Sequence, residues 1–203
     1  MSLKTCAVVS LKGGCSKSTV AFGLATAWSA KNSVVAVDLD PQGSLKEFYA
    51  EREDKKNLEV LALSRTHLEA RLASVEGYDL MVLDTPPATS VAMLAAIRAA
   101  DVVILCLRAG YPDYYSIETM LPMLKAEKAN VHILITQGAN NKLSKTFRKA
   151  VEEFGYPVLK NEMKHRVIYA ESVRHGLNAT EAHAGSVGGA EWKRISREIE
   201  GLL

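Results

Sequence analysis

Residues Ser10 to Thr19 read SLKGGCSKST, and pack glycines, lysines and hydroxyls into one short stretch. Such a stretch offers uncovered backbone N–H groups, a cation and a hydroxyl, which together suit a phosphate and its divalent cation. If it joins a strand to a helix, the helix N-terminus adds partial positive charge. In that arrangement the amides of Gly13, Gly14, Cys15 and Ser16 surround the phosphates and Lys17 reaches the β- and γ-phosphates. Ser18 gives its hydroxyl to Mg²⁺, and Thr19 helps hold the α-phosphate. The stretch departs from the plain pattern G-x-x-x-x-G-K-[ST] at both glycines, where it carries Leu11 and Ser16.

Two acidic segments would complete such a site. In VDLDPQGS, Asp38 and Asp40 alternate along the end of an apolar run, so on one strand they project the same way and would organise Mg²⁺ or an attacking water. Ser44, with Glu47 three residues on, predicts a capping box for the following helix, which leaves both aspartates free of that duty. In LMVLDTPP, Asp84 closes a strand and would stand near the metal's water shell. The two prolines after Thr85 stiffen a loop suited to sensing whether the γ-phosphate is present.

The elements that must position these residues follow from periodicity. Apolar runs of strand length at 5–10, 34–38, 58–63, 80–84, 102–107, 131–136 and 157–159 alternate with segments whose apolar residues recur every three or four positions. Those segments, 18–31, 44–53, 67–76, 90–100, 115–128 and 142–155, predict half-buried helices. Alternation of this kind predicts an α/β fold, a doubly wound, mostly parallel sheet flanked by helices, as one domain over 1–203. Ligands of such folds lie beyond the carboxyl ends of the strands, where SLKGGCSKST and both acidic segments fall. The glycine-rich stretch 182–192 reads as a loop before a docked C-terminal helix.

Composition sets the outer limits. With 48% hydrophobic and 24% charged residues of both signs, the chain is neither disordered nor fibrous. Three cysteines, two of them (Cys6 and Cys106) inside apolar runs, point to a reducing, cytoplasmic setting. No apolar run approaches the ~20 residues of a membrane helix.

In order and spacing, KGGCSKST, VVAVDLDPQGSL and YDLMVLDTPP resemble the motifs of the ParA/MinD family of deviant Walker ATPases, whose loop reads K-G-G-x-G-K-[ST]-T. The likeness extends through PVLKNEMKHRVIYAESVRHGLNATE, similar to the closing segment of small plasmid-partition ParA proteins. It implies a P-loop NTPase fold, ATP/ADP and Mg²⁺ as ligands, and slow ATP hydrolysis stimulated by a partner. By the same likeness Lys12 is the signature lysine that crosses a nucleotide-sandwich homodimer, and Leu11 stands where the family requires no glycine. Asp40 would position the attacking water, with Asp38 nearer the Mg²⁺ shell, and Thr136 and Gln137 would contact adenine. The N-terminal helix-turn-helix of larger partition ATPases and the C-terminal membrane helix of MinD are not expected. The one departure is Ser16, where the family has glycine. There a Cβ costs on the order of 1 kcal/mol if φ is positive, so slowed turnover with retained nucleotide binding is expected.

Between Lys142 and Arg174, eight Lys or Arg face four Glu, a local excess of +4 against +2 for the whole chain. A basic patch without stacking aromatics suits contact with the phosphate backbone of DNA irrespective of sequence. The family resemblance implies nonspecific DNA binding by the ATP dimer through this region, with Lys149, Lys164, Arg166 and Arg174 as contacts. It also implies a small DNA-binding adaptor as partner and association with the nucleoid when ATP is bound. The alternative is a nucleotide-gated binding switch in which Ser16 leaves little hydrolysis.

Overall fold

The computed structural model describes residues 2–63, 68–139 and 141–203. Seven strands, β1 (Lys4–Val9), β2 (Val34–Asp38), β3 (Leu58–Ala62), β4 (Leu80–Asp84), β5 (Val102–Arg108), β6 (Val131–Gly138) and β7 (Met163–Lys164), form one sheet in the order β3-β2-β4-β1-β5-β6-β7. Every neighbouring pair is parallel. The expected doubly wound sheet is therefore found.

The pleat explains why the strands read as unbroken apolar runs. Cys6, Val8, Val34, Ala36, Val82, Ile104 and Cys106 point to one face, while Ala7, Val9, Val35, Val37, Leu83, Leu105 and Leu107 point to the other. Both faces are covered, so both sets must be apolar. The first face packs under α1 (Lys17–Trp28), α2 (Ser44–Ala50), α7 (Val167–Arg174), α8 (Ala179–Ala182) and α9 (Val187–Glu200). The second lies under α3 (Leu68–Ala73), α4 (Val91–Ala99), α5 (Tyr111–Ala126) and α6 (Lys142–Glu152). At the carboxyl end of central β1 the chain turns directly into α1. That helix is fixed from behind by α9: Trp192 packs against Gly23, where an added Cβ would fall 2.4 Å from the indole, and its Nε1 donates to the Gly23 carbonyl at 3.3 Å.

Four local expectations need correction. First, Ser44 does not cap α2: the cap residue is Gly43, at φ 71°, and it makes no side-chain bond. Asp38 takes that duty from across the turn, its Oδ2 accepting the Lys46 N–H at 3.1 Å. Second, 182–192 is not all loop. Ser186 caps α9 by accepting the Gly189 N–H at 2.9 Å, and the glycines serve close packing, since a Cβ on Gly188 would meet Ile168 at 2.6 Å and one on Gly189 the His183 carbonyl at 2.3 Å.

Third, the segment at 157–159 forms only a single bridge, Val158 to Ile133, and the last strand is Met163–Lys164. Past that bridge the Arg148 guanidinium donates to the Leu159 carbonyl at 2.9 Å, competing for the acceptor that the next rung toward β6 would use. Fourth, α5 starts at Tyr111 rather than 115, with Pro112 in its first turn, where a missing N–H costs nothing. Of the segment predicted as a helix over 67–76, His67 lies outside the described residues.

Candidate functional site

The loop after β1 lies at the sheet's centre, and α1 begins within it at Lys17. Gly13 and Gly14 are exposed, and a Cβ built on either would meet nothing within 4 Å, so open space lies over their backbone. Gly14 has φ 75°, the left-handed turn that glycine makes without strain. Ser16 is also left-handed, at φ 63° and ψ 23°, so the conformation that favours glycine at this position is retained with a serine in it. Lys17 is buried at 6% exposure, while Ser18 and Thr19 are half-buried at the helix start.

Asp84 is the electrostatic centre of the site. Strand pairing puts it level with Val8 on one side and Asp38 on the other. It is fully buried, and among the described residues neither carboxylate oxygen makes a well-aligned hydrogen bond, although the Ser18 hydroxyl lies beside it. Burial raises its pKa to about 7; the Asp38 and Asp40 charges add to the rise, while the Ser18 hydroxyl and the Lys17 ammonium oppose it. A buried carboxylate with so little hydrogen bonding is unfavourable unless something else helps to neutralise it. A divalent cation reached through Ser18 and Asp84 fits that deficit and would supply charge neutralisation for bound phosphates. Among the described residues no group of three or more His, Cys, Asp or Glu gathers at one point.

The other acidic residues are placed differently from the expectation. β2 ends at Asp38, so Asp40 lies past the strand in a turn and does not project alongside it. Asp38 is buried and accepts the Asp40 N–H at 3.1 Å as well as the Lys46 N–H. Its pKa is raised by burial, with those amides pulling it back. Asp40 is half-buried, and its Oδ1 accepts the Gln42 N–H at 3.0 Å. A cleft of about 420 Å³ opens between these residues, Lys46 and the end of β3.

Lys12 is half-buried, and its Nζ donates to the Pro112 carbonyl at 2.5 Å, which ties the front of the loop to the start of α5. A second tie runs beneath. The Cys15 thiol donates to Asp113 Oδ1 at 3.0 Å, and the same oxygen accepts the Arg108 N–H at 3.2 Å. Asp113 is 1% exposed. Sequence reading missed it because no motif marks a lone Asp in the first turn of a helix.

Thr136 and Gln137, the residues expected to contact adenine, both touch the loop. Thr136 is fully buried and its hydroxyl donates to the Cys15 carbonyl at 3.1 Å. The Gln137 carboxamide donates to the Gly14 carbonyl at 2.6 Å and to Ser16 Oγ at 3.1 Å. Thr85, also missed, donates to the Val8 carbonyl at 2.9 Å and pins the strand end carrying Asp84 to the strand end carrying the loop.

The basic region is more neutralised than its composition predicts. Lys164 pairs with Glu162, Arg148 with Glu152 and Glu162, and Arg166 with the nearly buried Glu191 at 3.0 Å. Glu191 also accepts the Tyr169 hydroxyl at 2.7 Å and the Lys164 N–H at 2.9 Å, so Arg166 completes an internal network. Lys149 and Arg174 are exposed and make no ion pair among the described residues. A cleft of about 480 Å³ beside α6 is lined by Lys145, Arg148, Lys160, Lys164 and Arg194 as well as Glu162 and Glu191.

Comparison with known proteins is decisive at family level. Residues 6–179 match the model of the CobQ/CobB/MinD/ParA nucleotide binding domain. The chain belongs to that family. Among curated relatives, this ParA/MinD-family chain is 30% identical over 207 residues to the "Maintenance of carboxysome distribution protein A" of Gloeobacter kilaueensis, with 96% of this chain and 93% of that protein covered. It is 26% identical over 235 residues to the "Chromosome-partitioning ATPase Soj" of Thermus thermophilus, covering 95% and 94%. Of solved structures, a putative plasmid partition protein of Borrelia burgdorferi bound to AMPPNP superposes with a TM-score of 0.84 at 19% identity, over 100% of both chains. The ParA/MinD fold is thus shared over the whole length. No described helix is long and apolar enough to cross a membrane.

Proposed function

We propose that this ParA/MinD-family protein binds Mg-ATP at the loop 12–19, pairs through it as a homodimer, binds DNA without sequence preference and hydrolyses ATP slowly when a partner protein stimulates it. The observation that carries the reading is Asp84: a fully buried carboxylate with no well-aligned hydrogen bond, beside Lys17 and Ser18 and level with the loop's strand, is the deficit that a nucleotide-bound divalent cation would fill. The Gly13–Gly14 backbone would cradle the phosphates, Lys17 would neutralise them, and Asp40 is the candidate for orienting water. Lys12, at the exposed front of the loop, would exchange its bond to Pro112 for the partner's phosphates, so that hydrolysis removes part of what joins the dimer.

For DNA, exposed Lys149 and Arg174 are the stronger candidates, because Lys164 and Arg166 already have acidic partners. The relatives named for carboxysome distribution, chromosome partitioning and plasmid partition support an engine that positions cargo; its proposed partner is a small DNA-binding adaptor. A second reading, a switch that binds ATP and scarcely hydrolyses it, is favoured by the left-handed Ser16. Phosphate release with and without DNA, for the native chain, Ser16→Gly and Lys17→Ala, separates the two. Native turnover above that of Lys17→Ala supports the ATPase; native turnover equal to it, with ATP still bound, leaves the switch.

A further inference from the structure

Two non-glycine residues in left-handed backbone conformations face each other across the loop: Ser16 at φ 63° and Gln137 at φ 51°. Each conformation is unfavourable for a residue that carries a Cβ, so neighbouring structure must hold both. The holding groups are present. The Gln137 carboxamide has two N–H bonds, and its nitrogen lies 2.6 Å from the Gly14 carbonyl and 3.1 Å from Ser16 Oγ. A carbonyl can only accept, so the end of the carboxamide facing Gly14 is the NH₂ and not the oxygen. Ser16 Oγ then accepts from Gln137, which leaves its own hydrogen to be donated elsewhere. With Thr136 donating to the Cys15 carbonyl at 3.1 Å, three successive loop residues are gripped by two successive residues at the end of β6.

We infer that Gln137 is a positioning residue that compensates for serine at position 16. It clasps the loop in the conformation that glycine would hold without help, and it turns the Ser16 hydroxyl so that its hydrogen is free for a phosphate oxygen. Strain at Ser16 is then kept in the resting protein rather than relaxed by a flip of the Ser16 backbone, and the loop amides stay preorganised for an anion. The inference rests on the reading that this loop binds nucleotide phosphate.

A double-mutant cycle of Ser16→Gly and Gln137→Asn tests it. Asparagine tolerates the left-handed backbone of position 137, but its side chain is one methylene too short to span both bonds. Two readouts are taken: the affinity for Mg-ATPγS, and hydrogen exchange of the amides at 13–16 in nucleotide-free protein. Gln137→Asn is expected to weaken ATPγS binding about tenfold in the native background, and about twofold or less together with Ser16→Gly. Loop amide exchange should accelerate in the same background-dependent way. Equal effects in both backgrounds would overturn the clasp. If the native chain fails to bind ATPγS, the proposed function fails instead, and the exchange cycle, which needs no nucleotide, still decides the clasp.

Discussion

Asp84→Asn offers the sharpest test of the site's electrostatics. Burial pushes the Asp84 carboxyl up to about 7 from an ordinary 3.8, so folding favours its protonated form. Its contribution to stability is therefore fully present below about pH 4 and is lost as pH rises through about 7. Three pKa units at 1.36 kcal/mol each set the loss at about 4 kcal/mol by pH 8 and above. Asparagine cannot ionise, and its unsatisfied amide costs roughly 1–3 kcal/mol at every pH. Urea unfolding at pH 5, 6, 7 and 8 in the presence of a chelator should show the variant gaining about 2–3 kcal/mol on the native chain between pH 5 and pH 8, the remainder of the native loss having accrued below pH 5. Mg²⁺ with nucleotide should restore the native chain above pH 7 and leave the variant unchanged. Stability curves that run parallel from pH 5 to 8 would refute the claim that Asp84 is an uncompensated buried charge.

Gly23→Ala should lower stability by about 1–3 kcal/mol, despite alanine's better helix propensity, because its Cβ meets Trp192 at 2.4 Å; a raised Tm would contradict that packing. Asp113→Ala removes the acceptor of both the Cys15 thiol and the Arg108 N–H, and should cost roughly 1–3 kcal/mol in urea unfolding while loosening the loop; unchanged stability and unchanged ATP affinity would show the contact idle. Combined Lys149→Ala and Arg174→Ala should weaken DNA binding and flatten its salt dependence by about one unit of log–log slope per lost phosphate contact, whereas Arg166→Ala should chiefly destabilise the fold by stranding Glu191; the opposite pattern would reassign the DNA face.

How much of this was legible in the sequence depends on whether a feature is local. The strands at 34–38 and 80–84 match residue for residue, because buried parallel strands are unbroken apolar runs ended by a polar residue. The loop's glycines and lysines were equally plain, since phosphate binding is a property of contiguous backbone. The duties of the aspartates were not. Ser44 and Glu47 satisfy the spacing of a capping box, but Asp38 reaches the helix start first, from a strand that only the fold brings near. Glu191 lies on α9, outside the segment whose charges were summed, and neutralises Arg166 within it. Gln137 and Asp113 fall under the same rule: each touches the loop from more than ninety residues away, and no periodicity records such a contact.

The central claim is that the loop at 12–19 turns Mg-ATP binding into pairing of two chains. The most direct measurement is the mass of the particle in solution by light scattering, with Mg-ADP and with Mg-ATPγS. The native chain should be a monomer of 22.1 kDa with Mg-ADP and should double in mass with Mg-ATPγS. Lys12→Ala should bind the analogue yet remain a monomer, and Lys17→Ala should do neither. A Lys12→Ala variant that pairs as readily as the native chain, or a native chain of the same mass with both nucleotides, would contradict the account.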